Sequence, residues 1–175
     1  GATPVEQALI QALRQRYQSN QVVSAAEFCT WNDDYAAAMR AVYARFPDDL
    51  DMSTLFAEAL INRTPWQLWD LKSGEPAGGA DTLEAVAVLE RALQLIDDRG
   101  DAPHPGVLHM YIHVMEMSPH PERALRASDA LRDLVPDAGH LQHLPSHIDV
   151  LCGHYYAGLV SNSKAIQADQ LFLER

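Results

Sequence analysis

The chain has 175 residues, of which 47% are hydrophobic, so it is long enough to bury a continuous core without disulfide support. Its 24 acidic and 13 basic residues give a formal net charge of −11, which argues against nucleic acid and membrane surfaces as partners because both are anionic. The two cysteines are far apart and in no metal-binding pattern. They indicate no disulfide framework, so we expect a protein of the reducing cytoplasm. No run approaches the ~20 apolar residues of a membrane span, so we expect a soluble chain.

Helical periodicity runs along almost the whole chain, whereas the alternating patterns of strands are essentially absent. Prolines, aspartates and a glycine punctuate this periodicity at the starts and ends of the apolar segments. The pattern predicts helices at about 3–17, 33–46, 51–62, 82–97, 106–117, 121–134, 145–157 and 160–174. Short connections between such helices produce antiparallel hairpins, which bury their apolar faces only by stacking on one another.

Two parts of the chain match the register of tetratricopeptide helices. The matching residues are Ala85, Leu89, Ala92 and Leu93 in one unit and Gly153, Tyr156 and Ala165 in another. We therefore predict an all-α fold, a tetratricopeptide-like helical-hairpin solenoid that forms a single domain over residues 1–175. Because the final residues QADQLFLER stop within a helical pattern, we expect the chain to be a fragment of a longer protein.

One connection, at 63–81, is long for a helical repeat and is predicted to be a surface loop between two helices. It contains Trp66 and Trp69 and then a stretch rich in glycine and proline. Buried aromatic side chains more often belong to a core than to a ligand site, so we expect both tryptophans to pin the loop onto the helices. The alternative is that the loop is a lid over a ligand.

Histidines are confined to the second half of the chain, where all eight lie between His104 and His154. Within 107–117, His109, His113 and Glu116 follow one another at positions i, i+4 and i+7 on one helical stripe. Every other residue of this segment is apolar or aromatic, which predicts a buried helix. Imidazoles and a carboxylate in such a helix cost several kcal/mol unless they are paired or bound to metal, so the stripe needs partners.

Two further segments offer such partners. His140, His143 and His147 surround Pro145, which is best placed in the first turn of a new helix, and Glu58 is the one charge within the apolar run 52–62. Imidazole nitrogen together with carboxylate oxygen suits zinc, iron, copper or manganese. We predict that a divalent transition metal is bound by these seven residues: His109, His113, Glu116, His140, His143, His147 and Glu58.

Other interpretations of the same residues remain open. The stripe is also consistent with a buried hydrogen-bonded His/Glu network, or with a polar strip along the concave face of the solenoid. His104 and His120 lie beside prolines and are expected to be solvated, and Cys152 is expected to be a small core residue. The chain has no Gly-rich phosphate loop, GxSxG elbow or HExxH motif, which excludes the hydrolases and nucleotide enzymes that depend on them.

Several strings of the chain are distinctive, above all the H-x-x-H-x-P-x-H-I run formed by His140, His143, Pro145, His147 and Ile148. With FPDDLDMSTLFAEALIN, TPWQLWDLKSGEP and HPGVLHMYIHVMEMSPHPERAL, it resembles an uncharacterised tetratricopeptide-repeat-like protein family of bacteria and fungi. The resemblance covers nearly the whole chain and implies the fold and the position of the site, but it implies no substrate. His154 departs from the family pattern, so it is left out of the site.

Two functions are consistent with these residues. The first is a metal-binding helical-repeat protein or metalloenzyme, with Glu58 or Glu116 as general base, hydrolytic if the metal is zinc and oxidative if it is iron or copper. The second is a tetratricopeptide scaffold that binds a protein or peptide, or a small molecule, in its concave groove without catalysis. Metal content distinguishes the two, because a scaffold needs none.

Overall fold

The computed structural model of the protein describes residues 1–174, and within that range the prediction of an all-α fold is confirmed. The helices are α1 (Pro4–Arg16), α2 (Ala25–Arg45), α3 (Leu50–Ile61), α4 (Thr82–Arg99), α5 (Pro105–Met115), α6 (Leu125–Leu131), α7 (Gly139–His143), α8 (Pro145–Leu151) and α9 (Tyr155–Leu173), with a 3-10 turn at Pro121–Ala124 before α6. Over these residues the one β-type pairing is an isolated bridge between Trp69 and Pro76. No helix in the described part of the chain has the length and apolarity needed to cross a lipid bilayer.

The helices stack in chain order, as expected for hairpins that share one core. Each of α1 to α4 packs on the helix that follows it, and α3 also packs on α5. A single cluster of buried apolar side chains runs from α1 to α8, with Phe56, Leu60, Leu89, Ile112 and Ile148 among its fully buried members. Burial of this continuous core is the main source of stability, and it fixes α5 between α3 and α8.

The predicted start of the second helix, at residue 33, is wrong. Helix α2 begins at Ala25, because Ser24 and Glu27 form a capping box in which each side chain bonds the backbone of the other residue. Ala25, Phe28 and Cys29 follow at helical spacing after the Ser24–Glu27 signature, so this start was present in the sequence and was missed, although these residues are exposed in the fold.

Two predicted helices of the second half are shorter than expected. The helix predicted at 145–157 ends at Leu151, where Gly153 adopts a left-handed φ of 80°, and α9 then starts at Tyr155 rather than 160. The segment predicted at 121–134 begins as a 3-10 turn and ends at Leu131, shortly before Asp133 with its positive φ of 59°. These breaks let α7, α8 and α9 turn back on one another, and α9 packs on both α7 and α8.

The connection between α3 and α4 folds over the helices at one tryptophan only. The Nε1 of Trp69 donates a hydrogen bond of 2.6 Å to the backbone carbonyl of Val114 on α5, so Trp69 anchors the connection as expected. Trp66, by contrast, is 73% exposed, and the expectation that it also anchors the loop is wrong. Its φ of 63° lies in the left-handed region, which is uncommon for a bulky residue.

Candidate metal centre

Helix α5 carries the first part of the centre. His104 is its N-cap, and the Nδ1 of His104 accepts a hydrogen bond of 3.2 Å from the backbone N–H of Val107. Its side chain is partly exposed and lies outside the donor groups of the centre. Val107, Leu108 and Ile112 are buried in the core, which orients the other stripe of the helix away from it. That stripe carries His109, His113 and Glu116, all half-buried.

The second part of the centre comes from α7 and α8. Pro145 occupies the first turn of α8, where its missing N–H leaves no helical bond unmade, and it separates His140 and His143 on α7 from His147 on α8. Because α8 packs on α5, these residues lie against the stripe of α5. The structure thus brings the two histidine segments together.

One group of donors joins α5 to α7. The Nε2 atoms of His109 and His140 are 3.1 Å apart, and the rings of His113 and His140 are stacked with their centroids 5.8 Å apart. One ring nitrogen from each of these three histidines lies within 4.8 Å of the other two. Three imidazoles therefore converge on one point.

A second group is centred on the carboxylate of Glu116. The Nδ1 of His113 lies 3.2 Å from one carboxylate oxygen, and the Nδ1 of His147 makes a hydrogen-bond contact with the other. His113, Glu116 and His147 also offer donor atoms that are mutually within 4.8 Å, so His113 belongs to both groups. The Glu116 side chain is only 10% exposed, which strengthens these contacts by keeping water away.

His143 reaches the centre through His147. Their Nε2 atoms are 2.8 Å apart, and the Nδ1 of His143 contacts the side-chain oxygen of Asn162 on α9, with the Oγ of Ser146 3.3 Å from the same nitrogen. Asn162 and Ser146 were not predicted as site residues. Ser146 faces His143 from three residues further along the chain, whereas Asn162 faces it only because α9 folds back on α7 and α8, which no local pattern indicates.

The surroundings shift the charge states of this cluster. Burial, reinforced by the neighbouring His113 and His140, lowers the pKa of His109 to about 4, and burial also lowers the pKa of His140. For Glu116 burial acts to raise the pKa, but the hydrogen bonds from His113 and His147 together outweigh it and lower the pKa to about 2. At neutral pH His109 and His140 are therefore uncharged and Glu116 is ionised, which are the forms that bind metal.

Glu58 lies outside both donor groups, although the sequence predicted it as a ligand. Its carboxylate accepts a 3.0 Å hydrogen bond from the side-chain amide of Asn62 and lies 3.5 Å from the guanidinium of Arg16. These partners satisfy the charge of Glu58 without a metal ion. The structure places it on the wall of a cleft beside the histidines.

This cleft has a volume of about 550 Å³ and lies between α3, α5 and the connection that carries Trp66. Its polar lining includes His109, His113, Glu116 and His140 on one side and Glu58 on the other. The remaining lining is Thr54, Asn62, Ile61, Pro65, Trp66, Leu68, Met110 and Met117. A small molecule or a peptide side chain in the cleft would contact both an apolar surface and the histidines.

The spacing of the donors fits a metal ion. Two ligands bound to one ion at 2.0–2.1 Å are about 2.8–3.4 Å apart for bond angles between a right angle and the tetrahedral value. The separation of the Nε2 atoms of His109 and His140, 3.1 Å, falls within this interval. The residues present therefore fit an ion of the zinc type, with imidazole as the main ligand.

Comparison with known proteins bears on the fold. No family model matches the chain, and no curated protein matches it. The solved structure of MamA MSR-1 C2, a tetratricopeptide-like helical-repeat protein, is similar with a TM-score of 0.54 and 14% identity, covering 94% of each chain. This confirms the predicted tetratricopeptide-like fold. Identity at this level is evidence for the fold alone.

Proposed function

We propose that this tetratricopeptide-like protein binds a divalent transition metal ion through His109, His113 and His140. The observation that carries the proposal is the convergence of one nitrogen from each ring within 4.8 Å, on a surface that the cleft reaches. Metal sites with three protein ligands and one position open to a cleft are typical of catalytic zinc, whereas structural zinc is enclosed by four ligands. The geometry thus favours an ion that can take a further ligand.

The residues behind the ligands support the same function. Glu116 accepts a hydrogen bond from the Nδ1 of His113, which makes Nε2 the nitrogen that carries the free lone pair. Such a carboxylate also raises the basicity of the imidazole that it orients. Because the donor set is rich in imidazole and lacks a thiolate, we propose zinc, iron, copper or manganese as the ion.

A catalytic role would use the open position. A bound ion lowers the pKa of a coordinated water and makes it nucleophilic near neutral pH. Glu58, on the opposite wall of the cleft, is the proposed general base, because Asn62 and Arg16 both contact its Oε1, whereas histidines contact both oxygens of Glu116. The ligand of the cleft would be a small molecule or a peptide segment that places an apolar group near Trp66.

Calorimetric titration with Zn²⁺ tests the metal proposal. Protein stripped with EDTA and dialysed should bind zinc, and His140→Gln should weaken binding by at least tenfold because it removes one of the three converging imidazoles. His120→Gln is the matched control, since His120 is 64% exposed and lies outside both donor groups. Equal affinity in all three proteins would place the ion away from His140 and contradict the proposal, and absence of zinc binding would favour the peptide-binding scaffold.

A further inference from the structure

His143 and His147 lie outside the site formed by His109, His113 and His140, and the contact between their rings needs its own explanation. Their Nε2 atoms face one another at 2.8 Å. A neutral imidazole has one N–H and one lone pair, so the partners of the two Nδ1 atoms decide what each Nε2 carries.

Both Nδ1 atoms face acceptor oxygens of other side chains. The Nδ1 of His143 contacts the amide oxygen of Asn162, and the Nδ1 of His147 contacts a carboxylate oxygen of Glu116. The hydroxyl of Ser146, 3.3 Å from the Nδ1 of His143, directs its own hydrogen at the oxygen of Asn162. Each Nδ1 must therefore carry the hydrogen and donate it. This leaves a lone pair on each Nε2, and the two lone pairs point at one another.

Two lone pairs at this distance repel unless a proton or a metal ion lies between them. From this geometry we propose a second metal site at His143 and His147, so that the protein holds two divalent transition metal ions rather than one. With bonds of about 2.0–2.1 Å, a nitrogen separation of 2.8 Å corresponds to an angle close to 90° at the metal. That angle suits neighbouring positions of a five- or six-coordinate ion, whose other positions would hold water.

The fold holds this pair in place. Pro145 fixes the start of α8, so that His147 follows His143 at the i+4 position across the junction of α7 and α8. Asn162 is carried by α9, which packs on both of these helices, and the Oγ of Ser146 lies 3.4 Å from its amide oxygen. The tautomer of His143 is therefore set by tertiary structure rather than by the local sequence.

Glu116 links the second site to the first. One of its oxygens orients His113 and the other orients His147, so one carboxylate stands behind a ligand of each ion. The second site extends the proposed function and shares only this residue with it. Each site can therefore be removed separately, by changing His143 or His109.

Spectroscopic titration with Co²⁺ as the probe counts the ions. EDTA-stripped wild-type protein, titrated near neutral pH, should reach its end point at two equivalents, and His143→Gln should reach it at one. Asn162→Leu should weaken the second ion at least tenfold and leave the first unchanged, because it frees the Nδ1 of His143 without removing a ligand. His109→Gln should lose the first ion and keep the second, and His120→Gln should keep both.

A wild-type end point at one equivalent would overturn the second site and leave the proposed function standing. An end point at zero equivalents, meaning that no Co²⁺ binds, would overturn both the second site and the proposed function. Two equivalents that persist in both His143→Gln and Asn162→Leu would place the second ion elsewhere and would also overturn this assignment. Far-UV circular dichroism of each variant separates the loss of an ion from the loss of the fold.

Discussion

The Nε2 atoms of His109 and His140 lie 3.1 Å apart although 31 residues separate the two histidines in the sequence. The contact joins α5 to α7, and the α5–α8 packing brings His147 to Glu116 beside it. Polar side chains that meet in this way across a helical core stabilise it only if each has a partner. A metal ion would supply that partner for several of them at once.

Glu116 is expected to act on metal affinity through the histidines that it orients. Glu116→Gln keeps the shape of the side chain but removes its charge and one of its two acceptor oxygens. The pair of contacts that orients His113 and His147 is then lost. Zinc affinity should fall about 10–100-fold while the helical content stays unchanged. Glu122→Gln is the control, since Glu122 pairs only with the exposed His120. Unchanged affinity in Glu116→Gln would exclude this role.

Stability without metal should fall as the pH drops below about 6.5. His109 has its ordinary pKa of 6.5 in the unfolded chain and a pKa of about 4 in the fold, so between these values only the unfolded state takes up the proton. The free energy of unfolding, measured in EDTA, should therefore decrease from pH 6.5 to about pH 4. Below pH 4, His109 should cause no further decrease. Allowing for partial exposure, the loss is about 1–3 kcal/mol.

Urea unfolding of wild type and His109→Gln at pH 7 and pH 4.5 measures this contribution. The other titrating carboxylates should change the unfolding free energy of both proteins alike. Glu116 adds little above pH 4.5, because its pKa is lowered and its contribution is lost only as the pH falls from 4.5 towards 2. The stability of His109→Gln should depend less on pH than that of wild type. Parallel profiles would show that His109 is not held in its neutral form.

Part of this centre could be predicted from the sequence. His109, His113 and Glu116 follow helical spacing within an apolar segment, so periodicity alone placed them on one stripe. The histidines of α7 and α8 could be proposed as their partners only from composition. How α7, α8 and α9 pack depends on tertiary features, the turn at Gly153 and the return of α9, which spacing does not contain.

The position of Glu58 could not be predicted in the same way. As the one charge in an apolar helix it was expected to be a ligand, but Arg16 of α1 reaches it from 42 residues away and pairs with it. Sequence spacing contains no information on such a contact. Asn162 was missed for a similar reason, since one polar residue among the polar residues 161–164 has no periodic signal of its own.

Metal should stabilise the protein through its ligands. At free metal a thousandfold above Kd, the holo protein should be about 4 kcal/mol more stable than the apo protein. His113→Ala should lose most of this gain, because His113 belongs to both donor groups, whereas His120→Ala should retain it. Thermal unfolding of wild type and of the two variants, with and without Zn²⁺, measures the metal-dependent gain in stability. An equal metal-induced shift in His113→Ala and wild type would remove His113 from the site.

The two tryptophans of the α3–α4 connection should differ in their effects. Trp69→Ala removes the hydrogen bond to Val114 and the packing around it, and should cost about 2–4 kcal/mol of unfolding free energy. Trp66→Ala should change stability by less than about 0.5 kcal/mol, because the side chain is 73% exposed. Chemical denaturation of both variants gives the comparison. A large loss in Trp66→Ala would mean that Trp66 packs on the helices after all.

Elemental analysis of protein purified without a His tag or added metal tests most directly whether the histidine centre holds metal. We expect zinc, iron, copper or manganese at about one equivalent or more, and markedly less in His140→Gln purified in parallel. Less than about a tenth of an equivalent in wild type, with no recovery after incubation with Zn²⁺, Fe²⁺, Cu²⁺ and Mn²⁺ in turn, would contradict a metal-binding function.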